Sequence, residues 1–454
     1  MLSIKQVITL STLKPSLLSC AIALFSLPAS AVDYSNSFIR DAKADGRIQT
    51  IFFNEENTST KETRGAWTGA VWLNAQSGYL ADLFAIGGSA YRVTLLDMKS
   101  TNINSSFLLS DNNEGFGKLG QAYLDIKLPE NHEDISASLK AGRQMIETGL
   151  LRSSTIRSVP SSWEGVNASL GVGEFSGGVA WLNRVNERNA AGFDRILSDG
   201  GEIIDWVLGS QLGFSFDLGD ARNLKLQYRG GLAKNYVMGH NGVITFSAPV
   251  VDSTLTLSGQ YYYAKQHGRL WNPVSAAFEN DAQSGNINAT LSIDSWTFNA
   301  GATYTKAQAS PNNTQGDFQT IGCYDYLFGA NTRGVFDAST SAIFSDFNFD
   351  GETAFVLGAQ YDFTYPELKG LSLSYNFYVG TGMKVTKLSD LQRFTAHETE
   401  NDLTVTYTFQ QPELKGLEFQ MSFVYYTNSE ALFLASGQGE QKNFRSYLIY
   451  HFSI

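Results

Sequence analysis

The sequence predicts an all-β chain, a transmembrane antiparallel β-barrel of about 18 strands with short periplasmic turns and long extracellular loops. Three observations predict it. Apolar and polar residues alternate with period two through segment after segment. Beyond the first residues no apolar run approaches the roughly 20 residues of a membrane-spanning helix, although aromatics make up 13% of the chain and glycines number 42. The connections between alternating segments are short and long by turns, the parity expected of a bacterial barrel.

The chain begins with the pattern of an export signal. Lys5 and Lys14 carry positive charge, residues 16–28 are mostly apolar, and Ala29-Ser30-Ala31 is an A-x-A cleavage site. Residues 1–31 are therefore expected to be a signal peptide, and 32–454 the barrel. Losing Cys20 with the leader leaves Cys323 alone, which excludes an internal disulfide and a cysteine-built metal site. The 33 basic and 44 acidic residues give a net charge of −11, and removal of the leader's two lysines makes the remainder more acidic. A nucleic-acid partner is not expected. The 5 histidines stand far apart, at 132, 240, 267, 397 and 451, with no H-E-x-x-H spacing. No catalytic set, metal site or cofactor is read, and the chain is not expected to be an enzyme.

Strands are expected near residues 47–57, 64–76, 83–96, 118–128, 135–146, 163–173, 175–187, 203–216 and 224–236, and then near 241–249, 254–266, 285–294, 296–307, 353–363, 371–380, 402–410, 417–428 and 444–454. In one of them Leu371, Leu373, Tyr375, Phe377 and Val379 share a face, with Ser372, Ser374, Asn376 and Tyr378 on the other. Connections after even-numbered strands are short. Those after odd-numbered strands are mostly long, as at 97–117, 188–202, 308–352 and 381–401. The hexapeptide PELKGL occurs twice, at Pro366 and Pro412, each time in a short connection. Proline ends one strand, Lys-Gly makes the corner and leucine starts the next. Hydrocarbon tolerates no open sheet edge, so the strands must close, with apolar side chains toward lipid and polar ones toward a watery lumen. The last strand carries Leu448, Tyr450, Phe452 and Ile454 on one face, the surface expected to meet the barrel-assembly machinery.

Three stretches carry a family resemblance: AWTGAVWLNAQSGYLADLFAIGGSAY at 66–91, the segment 142–165, and SDFNFDGETAFVLGAQYDF at 345–363. With Ser77-Gly78-Tyr79 and Asp346-Phe347-Asn348 as the most specific parts, the chain resembles the OprD family of outer-membrane porins, and within it the chitoporin-like branch. The resemblance runs over essentially the whole mature chain. It implies an outer-membrane channel, monomer or trimer, for passive uptake of small hydrophilic solutes, in contact with outer-membrane lipid and lipopolysaccharide. Chitin-derived oligosaccharides are the first expectation for its solute, and basic amino acids, peptides or organic acids the alternative.

In such porins the loop at 147–162 resembles one that folds inward and narrows the pore. Arg152 and Arg157 are then constriction candidates, drawing carboxylates or gripping sugar hydroxyls with forked hydrogen bonds. The other reading leaves both solvated on the outer surface. Arg92, Lys127, Lys140, Arg184, Lys225 and Arg229 fall on the inward phase and are expected along the lumen wall, as part of the basic ladder the resemblance implies. Arg143 falls on the apolar phase, which points it outward or to the rim. Trp163, Trp271, Tyr324, Tyr326 and Phe328 are candidate faces for sugar stacking, or else pack the loops against themselves. Asp111, Asp325 and Asp337 are loop acids for cations bridging lipopolysaccharide, or have no specific partner.

Overall fold

The computed structural model describes residues 37–128 and 134–453. The expected signal peptide, His132 and Ile454 lie outside the described residues.

A closed antiparallel barrel of 18 strands forms the chain. In order they are β1 (Lys43–Asn57), β2 (Trp67–Gln76), β3 (Phe84–Asp97), β4 (Gly117–Lys127), β5 (Ile135–Gln144), β6 (Ser162–Val172), β7 (Phe175–Asn186), β8 (Val207–Asp217) and β9 (Asn223–Ala233). The second half runs β10 (Val237–Val250), β11 (Ser253–Gln266), β12 (Asp281–Ile293), β13 (Trp296–Lys306), β14 (Thr353–Asp362), β15 (Leu371–Thr386), β16 (Arg393–Thr408), β17 (Leu417–Asn428) and β18 (Gln441–Ser453). Each pairs with the next, and β18 returns to β1 in a register running from Asp45↔Ser453 to Asn57↔Gln441. Closure supplies both edges of every strand with partners, as hydrocarbon requires.

The period-two pattern sorts the two faces. Ile287 and Leu357 point outward, 66% and 65% exposed, while Asn286 and Thr303 of the inward phase are buried. Near the periplasmic ends aromatics meet ring to ring, Trp296 with Tyr361 at 4.7 Å, Tyr361 with Phe363 at 4.9 Å and Tyr407 with Phe409 at 4.9 Å. They form the interfacial girdle that anchors a barrel at the headgroups.

The repeated hexapeptide builds the same turn twice. Pro366–Leu368 and Pro412–Leu414 are single turns of 3-10 helix, each beginning with proline. Each is followed by glycine at positive φ, Gly370 at 95° and Gly416 at 91°. A side chain there would run into the carbonyl oxygens of Thr408 and His451 at 2.2 and 2.4 Å, so the close strand crossing needs glycine. Of the boundaries that differ from the sequence reading, two change how a connection is built. The stretch 381–401 is no long loop: β15 and β16 continue as a hairpin past a bulge between Thr381 and Met383, to a tip at 387–392. Ile203–Ile204 is a separate short strand ahead of β8.

The lumen is not an open water column. Long connections turn inward and meet apolar residues of the inner wall in two main clusters. One gathers Ile51, Phe53, Trp72, Tyr91 and Val93 of the wall around Leu108, Leu109 and Val159. The other gathers Trp163, Leu182, Tyr236 and Tyr262 around Leu150, Phe328 and Phe336.

The face assignment predicts a contrast between neighbours at mid-strand. Ile287→Arg puts charge into hydrocarbon and should cost about 2–4 kcal/mol, whereas Asn288→Arg points into the lumen and should cost little. Denaturant unfolding in lipid vesicles measures both. Equal losses would contradict the assignment.

Candidate functional site

The third outer connection (145–161) spans the lumen. It starts as a narrow hairpin, Glu147–Thr148 against Leu151–Arg152. The hairpin tip presses on the wall: Gly149 donates its N–H to Gln211 Oε1 at 3.0 Å, and a side chain at Gly149 would lie 2.3 Å from the Gly230 oxygen. The connection then crosses to β1 and β2. There the Ser158 carbonyl accepts from Gln49 Nε2 at 2.6 Å and Trp72 Nε1 at 2.8 Å.

The seventh connection (307–352) lies along the wall from β9 to β18. Asn286 Nδ2 donates to Ser339 Oγ at 2.8 Å, and Thr340 Oγ1 donates to Thr303 Oγ1 at 2.7 Å. Further on, wall carboxylates collect main-chain donors. Phe344 and Ser345 each give an N–H to Glu400 at 2.8 Å, and Ile343 gives one to Asp402 at 3.2 Å. Ser345 Oγ donates to Glu398 at 3.1 Å. The two connections also pair with each other, Val335 N–H to the Leu150 oxygen at 3.1 Å and Leu151 opposite Gly334.

Between them lies a cavity of about 1040 Å3. Its lining brings together Arg152, Arg157, Arg188 and Arg333 with Asp325, Tyr326 and Asp346. The guanidiniums differ in their partners. Arg152 is paired with Asp337 at 2.7 Å and Glu147 at 3.1 Å. Arg157 donates to the carbonyls of Ser106 and Ile156 and lies over the Phe53 ring at 5.0 Å. Arg188 lies over Phe107 at 4.9 Å, and its Nε is buried with no hydrogen-bond partner. Arg333 donates to the Thr332 oxygen at 2.7 Å. The ion pairs among the described residues include none with these last three.

Burial and mutual repulsion act together here. Burial lowers Arg157 to about 10, with Arg445 adding to the fall. Burial lowers Arg188 to about 9, with Arg157 and Arg333 adding to it. Both stay charged at neutral pH. Asp325 touches the cavity space, yet the loop encloses it, and burial pushes its carboxyl up to about 7 against the Leu327 N–H that favours the anion.

Several sequence expectations meet a different arrangement. Arg229 and Lys140 do face the lumen, Arg229 on Asp337 at 3.0 Å and Lys140 over the Tyr123 ring at 4.2 Å. Arg92 does not: it alternates with buried Tyr91 and Val93 and lies on the outer face. Arg184 is also outward, set there by a bulge between Leu182 and Arg184, and is paired with Glu164 at 3.9 Å beside Arg143. In both places the lumen is filled by loop core, so the inward phase is apolar. Four of the five stacking candidates are packed away. Trp163 is fully buried, Trp271 is wedged between Tyr236 and Phe278, and Tyr324 lies against Tyr262 and Phe336. Phe328 is buried on Gly231. Tyr326 lines the cavity, stacked on Phe336 at 5.7 Å, with its hydroxyl donating to Asp346. Two of the loop acids have protein partners, exposed Asp111 with Asn189 and Asp337 with the arginines. Sequence reasoning missed Arg188, Arg333 and the column Glu398, Glu400 and Asp402. The column was legible as three acids at period two, had 381–401 been read as strand.

The family model for outer membrane porin, OprD family, matches residues 36–454. Solved structures share the fold. The chain is similar to Acinetobacter baumannii OccAB1, with 17% identity and a TM-score of 0.76, over 92% of this chain and 98% of that one. It is similar to Pseudomonas aeruginosa OccK9 (OpdG), with 15% identity and a TM-score of 0.74, over 92% and 100%. It is also similar to Pseudomonas aeruginosa OpdK with vanillate, with 17% identity and a TM-score of 0.70, over 92% and 100%. No curated protein matches the chain significantly.

Asp325 predicts a pH response. Its carboxyl is neutral below about 7, so the cavity gains negative charge as the pH rises through that value. The chloride-over-potassium permeability ratio from reversal potentials should fall across this range. Asp325→Asn should flatten the profile, and a profile that survives the substitution would assign the response elsewhere.

Proposed function

The chain belongs to the OprD family of outer-membrane porins, and from that membership we propose that its channel favours small solutes bearing a carboxylate. Family and fold make it a substrate-specific porin of the outer membrane, a channel for small solutes rather than an enzyme. One observation carries the choice of solute. Arg157, Arg188 and Arg333 line the cavity between the inward loops with no ion-pair partner among the described residues, Glu187 and Asp325 acting on them only from a distance. A solute carboxylate completes them. A guanidinium fork donates to both its oxygens, and the enclosed space weakens the screening that water would provide. Arg152, Arg229 and Lys140 extend the cationic lining along the path. The OpdK channel solved with vanillate supports the same chemistry by analogy of fold.

Chitin-derived oligosaccharides are the second reading. They need exposed aromatic faces; Trp163, Trp271 and Tyr324 are buried, and of the aromatics on the cavity wall only Tyr326 and Phe344 are half-exposed, Phe336 and Phe349 being buried. A leader over 1–31 delivers the chain to export, and the outward face of β18 serves recognition by the barrel-assembly machinery.

Reconstituted channels in planar bilayers test the proposal. Benzoate should interrupt the current at concentrations where benzamide and chito-oligosaccharides do not. Arg188→Gln should raise the half-blocking benzoate concentration about tenfold, the loss of one charge-assisted contact. Stronger block by chito-oligosaccharides than by benzoate would favour the second reading.

A further inference from the structure

Asp337 belongs to the seventh connection, yet it is held as a bound ligand would be. Its Oδ1 accepts from Arg152 Nη1 at 2.7 Å, and its Oδ2 accepts from Arg152 Nη2 at 3.2 Å and Arg229 Nη1 at 3.0 Å. Arg152 comes from the third connection and Arg229 from the inner face of β9. Two guanidiniums from different elements thus converge on one carboxylate, the planar recognition that suits a free acid equally well. The group is also partly wet. The side chains of Arg152 and Asp337 are 34% and 35% exposed, and that of Arg229 is 22% exposed. Ion pairs with this much solvent are weak enough to exchange. The main chain at Asp337 is tied separately, its N–H to the Tyr262 hydroxyl at 2.9 Å and its carbonyl to Gln260 Nε2 at 3.0 Å. Swinging the carboxylate away therefore leaves the loop in place.

We infer that Arg152 and Arg229 form a carboxylate-binding subsite whose resting occupant is Asp337, so that a solute carboxylate leaving the cavity exchanges with the chain's own. The inference rests on the carboxylate reading above and deepens it. Arg152 lines the cavity, so the subsite begins where the cavity ends. A bare pair of arginines would hold an acid tightly and stall it, whereas conduction needs sites that release. A tethered competitor solves this, because Asp337 is always present at high effective concentration and retakes the arginines once the solute moves. Glu147, the other acid on Arg152, is 77% exposed and stays with it as a weak partner throughout.

Single-channel recording with benzoate as the probe tests the exchange. Asp337→Asn should lower the half-blocking benzoate concentration about tenfold and lengthen each block, because the tethered competitor is gone. Block by benzamide should not change. Asp337→Glu should restore the wild-type values, and Arg229→Gln in the Asp337→Asn background should remove the gain. Unchanged or weaker benzoate block in Asp337→Asn overturns the inference and makes Asp337 a loop anchor only. If benzoate fails to block even the wild type, the carboxylate reading itself has failed. The subsite is then decided by reversal potentials in potassium chloride alone: a shift toward chloride in Asp337→Asn supports it, and no shift overturns it.

Discussion

Closure of the hydrogen-bond ladder is the constraint on which the rest of this structure depends. In hydrocarbon an unpaired strand edge has no water to turn to, so the chain must bring β18 back to β1 along the whole register from Asp45↔Ser453 to Asn57↔Gln441. Closing so many strands makes a lumen too wide for side chains to fill. The chain narrows it with its own connections. Those segments bring peptide groups into the barrel, and each peptide group needs a partner.

The partners divide by charge. Wall carboxylates Glu398, Glu400 and Asp402 receive N–H groups and a hydroxyl of the seventh connection, while Gln49 and Trp72 hold the carbonyl of Ser158 in the third. Much of the lumen's acidic lining is thereby engaged in fixing loops. The arginines that remain, Arg157, Arg188 and Arg333, are oriented by carbonyls and rings rather than by acids. Their positive charge is left to act on what passes. An overall acidic chain can in this way present a cationic passage, and net charge is a poor guide to what the pore prefers.

Legibility in the sequence follows the range of the interactions. Strands are read from period two, which is local, and so the reading near 285–294 and the observed β12 at Asp281–Ile293 agree in face as well as place. PELKGL is equally local, and its two copies fold alike. What the loops do inside depends on contacts such as Gln49 with Ser158 and Glu400 with Ser345, far apart in the chain and invisible to a window of residues. The rule that polar side chains face water assigns Arg92 and Arg184 to the lumen. That rule fails where loop core fills the lumen and Tyr91, Val93 and Leu182 face inward instead. Trp163 and Trp271 suggest ligand faces because they stand beside or in outer loops, and the core that buries them comes from other connections.

The seventh connection narrows the pore from within. Replacing residues 307–352 by a short glycine-serine turn between β13 and β14 leaves the barrel ladder intact and removes that constriction. Single-channel conductance in potassium chloride is the direct readout. A several-fold rise, with loss of chloride preference, is the predicted result. Unchanged conductance and selectivity would contradict the account, because the passage would then be set by the wall and not by the loop held inside it.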